Sequence, residues 1–505
     1  MDLDNNILQV VEPSIRPTEV KFHTAGEDEG ADKQTKSVGV DKPYVIINGY
    51  EFKGSDILYC KLSVNGFYPK LTLSLTDTRM AFDVGTYPRD GDNITLLINS
   101  KNQDTFKSIH MDFDITSVSS PQTPSGFAGN TVRDYNFQGV CKVPGLFAED
   151  CKSYGEGTSL EHIEKVATEL KLGLATNIDA TDDLQNRIQP YSTKFDFIKD
   201  IVNYSYVGEE CFQTFYIDQY YNLNFVELNK VFNSKRLTGD DMQNSITSYA
   251  NSIEVDRTSE NSDDIETKVM LTNHLVADKT GNKIWAYNLK NNSSRISLSN
   301  GYKRILQMWD NLEDASSPEY GDGRLVEFDI EAFSTKKENL LDMEEPLKGR
   351  KDEDFYESQT KHKWVGRMQD YTLEGNVHVN HKYAVLNNYQ NMKELEKMVL
   401  VVDLETFNPG LYRNQMVPVI LYNVEENKVQ MSRDNDALLK EKGAKPENKS
   451  FDFEDDGESN MTLDDFTSGH YVIGGIEYIY ETGNPTIRQR LTLLRREWPV
   501  RANSL

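Results

Sequence analysis

Short segments in which apolar and polar residues alternate dominate the first third of the chain. The segment KLTLSLT (70–76) places its leucines on one face and its hydroxyl residues on the other, which is the period of a half-buried strand. The length and spacing of such segments predict an antiparallel β-domain, a barrel or a sandwich, over residues 40–145. Further segments of this kind lie at 43–48, 57–64, 93–99, 109–118 and 134–143.

A helical period replaces the alternation further along the chain. Thr158 and Glu161 have the spacing of a capping box, apolar residues then recur every three to four positions, and Gly173 is placed to end the helix. A second helix is predicted over residues 192–206 (STKFDFIKDIVNYSY) because its apolar residues fall on one helical face.

An unusually aromatic segment, CFQTFYIDQYYNLNFVEL (211–228), follows the second helix. Its two alternating runs flank Asp-Gln-Tyr-Tyr-Asn, which predicts a β-hairpin. Residues 146–233 are therefore expected to form a compact α+β module made of two helices and this hairpin.

The remaining segments alternate between strand-like and polar character. A second β-domain with insertions is predicted over 234–425, an acidic linker or loop over 426–465, and a C-terminal hairpin over 466–505 that completes a β-domain. Residues 1–39 are expected to be a flexible arm that docks its apolar residues on a neighbour. The second β-domain rests on predicted strands at 265–273, 324–333, 398–407 and 415–423, a predicted helix at 301–312 and a polar stretch at 335–362.

Composition narrows the class of function. The 505 residues are 37% hydrophobic, enough for about three or four domains with real cores. The 81 acidic and 55 basic residues give a net charge of −26, which disfavours a nucleic-acid binder because such proteins need a basic surface. The N-terminal residues lack the charge and apolar pattern of a signal peptide, and no segment approaches the ~20 apolar residues of a membrane span.

The cysteines and the near-matches to known motifs give no active site. The scattered cysteines are first interpreted as small buried thiols of a protein made in a reducing cytoplasm, and a Cys141–Cys151 disulfide is the alternative. The four cysteines are Cys60, Cys141, Cys151 and Cys211. Residues 49–55 have Walker-type glycine spacing without the phosphate-binding lysine, so a turn between strands is expected there.

Two possible metal motifs are equally incomplete. The acidic segment that begins at Asp452 has Leu463 where a calcium loop needs a bidentate glutamate. His378 and His381 would point to opposite faces of a strand. We therefore assign no catalytic, cofactor-binding or metal-binding residue, expect no cofactor, and predict that the chain is not an enzyme.

The order of the predicted parts, together with a set of matching residues, resembles the central hub proteins of contractile-tail baseplates. This family includes the late-control hub proteins of phages and the hub portion of the type VI secretion spike. The segments at 90–99 and 467–480 are also similar to strands of the family, while its usual turn glycine is replaced here by Tyr221 or Asn222. The matching residues of the α+β module are Leu160, Ile163, Leu170, Gln189, Ser192, Phe195, Phe197, Ile198, Asp218, Leu223 and Phe225.

The resemblance implies a mainly β fold with an α+β module: two tube-forming antiparallel β-barrel-like domains plus the helix–helix–hairpin domain. It implies a homotrimer whose pseudo-sixfold ring adapts a threefold spike to a hexameric tail tube and lines the DNA channel. The implied partners are a separate spike protein, a tail-tube or tube-initiator protein and baseplate wedge proteins. Viral DNA would pass through the lumen without specific binding, and the protein would be made in the host cytoplasm and end in the virion.

Two sets of residues are candidates for contacts between subunits. Tyrosines of the aromatic hairpin offer a large area with a polar tip, and arginines of the last strand form bidentate contacts with carboxylates. The candidates are Tyr216, Tyr220, Tyr221, Arg488, Arg490, Arg495 and Arg496.

Two other classes of function remain open from the sequence. One is a peripheral or receptor-binding tail protein, although such proteins usually lack the helix–hairpin module. The other is a glycan-degrading tail enzyme, which would need a cleft with two positioned carboxylates.

Overall fold

The computed structural model describes the chain in segments separated by gaps. The N-terminal segments contain the first β-domain and the α+β module, and the later ones contain the strands of the second half. The described residues are 7–19, 42–85, 87–89, 91–99, 108–120, 133–208, 212–232, 271–273, 283–291, 303–310, 324–331, 358–365, 395, 398–405, 408, 410–424, 461–464, 467–484 and 486–495.

The fold is mainly β with few helices, which confirms the predicted fold class. The helices are α1 (Ala81–Val84), α2 (Ser159–Glu169), α3 (Lys194–Tyr204) and α4 (Leu228–Phe232). The strands are β1 (Leu8–Val11), β2 (Pro43–Ile47), β3 (Tyr50–Phe52), β4 (Ile57–Val64), β5 (Lys70–Asp77), β6 (Asn93–Ile98), β7 (Ile109–Ser119), β8 (Arg133–Cys141), β9 (Glu149–Gly157), β10 (Gly173–Thr176), β11 (Gln185–Thr193), β12 (Gln213–Ile217), β13 (Asn222–Glu227), β14 (Leu271–Thr272), β15 (Ile284–Asn291), β16 (Lys303–Asp310), β17 (Arg324–Glu331), β18 (Ser358–Val365), β19 (Met398–Leu404), β20 (Met416–Ile420), β21 (Tyr422–Val424), β22 (Met461–Leu463), β23 (Gly469–Glu481) and β24 (Arg488–Arg495).

One 13-stranded sheet runs through both halves of the chain. Its main path is β15-β19-β24-β23-β4-β5-β8-β7-β6-β2-β3, and β14 and β20 join it through β23. The C-terminal hairpin β23–β24 lies between β4 of the first half and β19 of the second. The hairpin therefore joins the two halves by backbone pairing as well as by packing.

Alternation along each strand explains why these residues pair in this register. The leucines of β5 are buried and its hydroxyl residues face outward, as the sequence predicts. On the closing hairpin the predicted apolar faces are confirmed, since Ile476, Tyr478, Leu491 and Leu493 all lie in the core. At the N-terminal end, Asn48 and Gly49 both adopt positive φ between β2 and β3, so residues 49–55 begin with a turn between strands.

The α+β module contains a smaller sheet with the order β1-β10-β13-β12, and α2 and α3 pack on it. The capping box of α2 is present, with Thr158 Oγ1 accepting from Glu161 N. The prediction that Gly173 ends this helix is wrong. The helix ends at Glu169, Lys171 takes the left-handed conformation at φ 57°, and Gly173 begins β10.

The apolar part of the N-terminal arm is an edge strand of the same chain. β1 pairs antiparallel with β10, and Val11 packs on the core. The arm then reaches the first β-domain, where Thr18 N donates to Asp112 Oδ2 over 2.9 Å. The contact of residues 7–19 is thus intramolecular. The rest of the predicted arm, residues 1–6 and 20–39, lies outside the described residues.

The prediction of a helix at 301–312 is wrong, because residues 303–310 form strand β16. β16 pairs antiparallel with β17 and parallel with β18, and Leu306 and Met308 lie opposite Phe328 and Val326. This period-two match between neighbouring strands outweighs the helical spacing that the sequence shows in isolation.

The other predicted segments of the second half fall only partly within the described residues. The strands predicted at 324–333, 398–407 and 415–423 are confirmed as β17, β19 and β20–β21. Part of the stretch predicted to be polar, at 335–362, belongs to strand β18, and a short strand, β22, lies at the end of the predicted acidic linker. Residues 265–270, 335–357 and 425–460 and both histidines lie outside the described residues. Of the calcium-like segment, only its last three residues are described, and they form β22.

Candidate assembly and channel surface

The outward side of the large sheet carries a line of polar side chains across six strands, which we call the polar face. Asp403, Arg490, Glu477 and Ser63 follow one another in register across β19, β24, β23 and β4. The line continues through Lys61, Thr72 and Gln138 on β4, β5 and β8. The polar face arises because each of these strands turns its alternate residues away from the core.

Ion pairs of alternating sign cross the polar face. Arg490 donates to Asp403 in a forked pair, with Nε–Oδ1 at 2.6 Å and Nη2–Oδ2 at 3.0 Å. This hydrogen-bonded carboxylate raises the pKa of Arg490. Glu477 Oε1 lies 2.6 Å from Lys61 Nζ and accepts from Ser63 Oγ over 3.1 Å. Opposite charges on neighbouring strands favour this register over a slipped one.

The structure separates the candidate arginines of the last strand. Arg488 and Arg490 lie on the outward side, where the guanidinium of Arg488 stacks 4.6 Å from the Trp285 ring centre. Arg495 lies on the core side, only 1% exposed, and its Nη1 donates to Ser468 O over 3.2 Å. Arg496 lies outside the described residues. A contact of these arginines with another subunit stays a prediction, and Arg490 already has a carboxylate partner in its own chain.

Tyr216 joins three segments of the chain. Its Oη donates to Arg413 O over 2.8 Å, and the Arg413 guanidinium lies 4.5 Å from the centre of its ring. Arg413 also donates to Gly66 O in the β4–β5 loop. In the same loop, the Phe67 ring stacks on Phe215 with 4.9 Å between ring centres. Burial raises the pKa of Tyr216, so its hydroxyl stays protonated and able to donate.

The tip of the aromatic hairpin is fixed by Asp218 and Tyr221. Asp218 Oδ1 accepts from the backbone N–H groups of Tyr220 and Asn222 over 2.8 and 2.9 Å, and burial raises the pKa of this carboxyl group. Tyr221 takes the left-handed conformation, at φ 63°.

The candidate tyrosines of the hairpin make their described contacts within the chain. Tyr221 Oη accepts from Asp112 N over 2.8 Å, which joins the hairpin to β7. Tyr216 and Tyr221 are buried, whereas Tyr220 is partly exposed and burial raises its pKa to about 12. Contact of these tyrosines with a second subunit stays a prediction.

Sequence reasoning missed several residues of these surfaces. Alternation along the closing hairpin would have placed Glu477 on the same outward side as Arg490. No sequence signal identifies Arg413 or Asp403 as partners of residues far away in the chain. Their roles depend on how the second half of the chain folds against the first.

The described residues contain neither a cluster of metal-ligand side chains nor a disulfide. They contain no group of three or more His, Cys, Asp or Glu side chains placed to hold a metal ion. Cys60, Cys141 and Cys151 are free thiols, so the alternative disulfide does not form, and burial raises the pKa of Cys60 to about 12. Cys151 is exposed, which corrects the expectation that it is buried, and Cys211 lies outside the described residues.

No helix in the described part of the chain is long and apolar enough to cross a membrane. The sequence matches no known family profile and no curated protein.

Solved structures of tail proteins are similar to this chain at low identity. A 43 kDa tail protein of prophage MuSo2 from Shewanella oneidensis is 10% identical, with a TM-score of 0.46 over 90% of this chain and 98% of that chain. A tail protein from Neisseria meningitidis is 9% identical, with a TM-score of 0.43 over 90% of this chain and 96% of that chain. A type VI secretion component from E. coli, described as structurally similar to T4 phage tail proteins, is 8% identical, with a TM-score of 0.36 over 90% of this chain and 78% of that chain.

Proposed function

We propose that this chain is the structural central hub of a contractile-tail phage baseplate. In this role three copies form a ring that adapts a threefold spike to the hexameric tail tube and lines the channel for DNA. The observation that carries the proposal is the polar face, which crosses six strands and both halves of one continuous sheet. The order of parts and the residues of the helix–hairpin module support it through their resemblance to hub proteins.

The polar face has the properties that a channel wall requires. A core packs behind it, and its lysine and arginine are paired with carboxylates of the same chain. A net charge of −26 over the whole chain repels phosphate, so DNA would slide past the wall without being retained. Two β-regions in each of three subunits would supply six similar wall segments, matching the symmetry of a tube.

The proposed role is geometric, so the chain acts without catalysis and without a cofactor. Its partners would be a separate spike protein on one side and a tail-tube or tube-initiator protein on the other, with baseplate wedge proteins around the ring. The protein would be synthesised in the host cytoplasm and would function in the virion during DNA ejection.

Solution mass tests the proposal. The purified chain, alone or with its spike protein, is expected to scatter light as a trimer of the 57.8 kDa subunit. Electron microscopy of the particle should then locate the ring between spike and tube. A stable monomer or hexamer in the presence of the spike, or a location at the tail periphery, would contradict the hub assignment.

A further inference from the structure

In the two-stranded ribbon β9–β11 of the α+β module, strand β11 buries polar side chains and exposes apolar ones. Along β11, Gln185, Arg187 and Gln189 point inward and are buried, whereas Ile188 points outward and is 55% exposed. Leu184, just before the strand, is 44% exposed, and Tyr191, near its end, is 80% exposed. An ordinary ribbon over helices would bury the apolar residues and expose the polar ones.

Several polar side-chain groups on the inward side of the ribbon lack hydrogen-bond partners in the described part of the chain. Among the described residues, Gln185 Oε1 and Nε2, and Arg187 Nε and Nη2, are buried without a hydrogen-bond partner. The nearest carboxylate oxygen to Arg187 is Asp200 Oδ2, at 3.8 Å from Nη1. A shift of one residue in register would bury Ile188 and release these polar groups to solvent. The fold keeps the unfavourable register, so the outward apolar side chains serve something outside the module.

The charge around these apolar residues indicates the kind of occupant. Glu156 pairs in register with Asn186, between Leu184 and Ile188, and Glu149 pairs with Thr193 beyond Tyr191. Both glutamates are exposed, while the neighbouring Lys152 binds Glu169. A second copy of this acidic chain would bring further negative charge to the ribbon.

We propose that the outward side of the β9–β11 ribbon, with Leu184, Ile188 and Tyr191 at its centre and Glu149 and Glu156 at its rim, docks a different protein. The docked surface presents an apolar side chain flanked by lysine or arginine. Apolar contacts supply the affinity and the acidic rim selects the partner by charge. The same partner chemistry is expected in any complex that contains the chain, whether or not that complex is a baseplate hub.

Cys151 provides a reporter, because it is an exposed thiol on the same ribbon. The full chain is isolated in its native complex and treated with a short maleimide–succinimide cross-linker, which joins a thiol to a lysine amine. Mass spectrometry is expected to find Cys151 linked to a lysine of a different protein. Reaction of Cys151 with N-ethylmaleimide should be about tenfold slower in the complex than in the free chain.

Two variants and a control connect the cross-link to the ribbon. Ile188→Glu and Glu156→Lys are each expected to reduce the cross-link yield about tenfold. The reason is that the first variant loses an apolar contact with the partner and the second loses a charge pair. Ser119→Glu, which adds a charge at the exposed C-terminal end of β7, should leave the cross-link yield unchanged. Glu156→Lys alters only a surface charge, so its result does not depend on how well Ile188→Glu folds.

Three outcomes would overturn the proposal. One is cross-links that reach only a second copy of this chain. Another is equal reactivity of Cys151 in the free and the complexed protein, and the last is an unchanged cross-link yield in Glu156→Lys.

Discussion

Arg490 and Asp403 form a forked ion pair between two strands, next to Glu477 on the third. Arg490→Glu would place a carboxylate opposite two others, and like charges in register destabilise strand pairing. Because the side chains are partly exposed, we expect the free energy of unfolding to fall by only about 1–2 kcal/mol. Denaturant titration measures this. The double variant Asp403→Arg, Arg490→Glu should recover part of the loss, and an unchanged single variant would show that the pair adds no stability.

Tyr216 offers a test of the junction between the hairpin and the two halves of the sheet. Tyr216→Phe leaves the ring in place and removes the hydroxyl that donates to the partly buried Arg413 carbonyl. We expect a loss of about 1 kcal/mol in the free energy of unfolding, because a partly buried acceptor loses its donor. Tyr191→Phe is the control, since that hydroxyl belongs to an exposed side chain. Equal stability of the two variants would contradict the junction role.

Glu227 makes the stability of the module depend on pH. It is buried and accepts from Phe212 N over 3.0 Å, and burial raises its pKa from 4.5 to about 7. The folded chain therefore binds the proton more tightly than the unfolded chain. This contribution to stability is fully present below about pH 4.5 and is lost as the pH rises to about 7, a change of about 3 kcal/mol.

Glu227→Gln should remove that part of the pH dependence. Unfolding measured between pH 5 and 7.5 should give a flatter profile than the parent chain. Glu149→Gln, at an exposed carboxylate, should keep the parent slope. A parallel profile for Glu227→Gln would contradict the raised pKa.

Which side chains point outward could be predicted from the sequence, but their partners could not. Alternation predicts that Arg490 faces away from Leu491, and the structure agrees. The pairing of Arg490 with Asp403 and the contact of Arg413 with Gly66 join residues that are far apart in the chain. A single sequence carries no local signal for such contacts.

At the scale of elements, a bulge in β23 brings its glycines close to neighbouring strands. The register shifts between Ile473 and Gly475, and a Cβ on Gly475 would lie 2.7 Å from Asn65 Cβ. Gly475→Ala is therefore expected to lower the free energy of unfolding by about 1–3 kcal/mol through overpacking. Gly66→Ala, whose added Cβ would have no described atom outside its chain neighbours within 4 Å, should change it by no more than about 0.5 kcal/mol. Thermal unfolding of both variants distinguishes a steric effect from a general effect of alanine.

Elements with a strong local pattern were predictable, and those set by distant partners were not. The strands of the first β-domain, both long helices and the aromatic hairpin agree with the sequence. β16 was predicted as a helix because only its pairing with β17 and β18 makes it a strand. β11 was missed because its polarity is inverted, and β9 was missed because nearly all of its residues are exposed, so neither has the pattern of a buried strand.

At the scale of the whole molecule, the C-terminal hairpin is the element that both halves share. Deleting residues 469–498 would remove one of the two neighbouring strands from β4, which keeps β5, and one from β19, which keeps β15. The remaining strands of the first β-domain still pair with one another, so we expect that part to stay folded while assembly into the proposed ring fails. Limited proteolysis and light scattering measure the two effects. A truncated chain that still assembled completely would show that the hairpin is dispensable.

The position of this hairpin at the C-terminal end of the sheet's sequence also delays the completion of the sheet during synthesis. Ser63 on β4 and Glu477 on β23 touch across the sheet, yet they are 414 residues apart in the chain. At a synthesis rate of about 5–20 residues per second, β4 waits on the order of 20–80 s for its neighbour. During translation the nascent chain therefore presents an open strand edge, which is a template for aggregation. Only a chain translated through the C-terminal hairpin closes that edge, so we expect prematurely terminated copies to leave it exposed to chaperones and proteases.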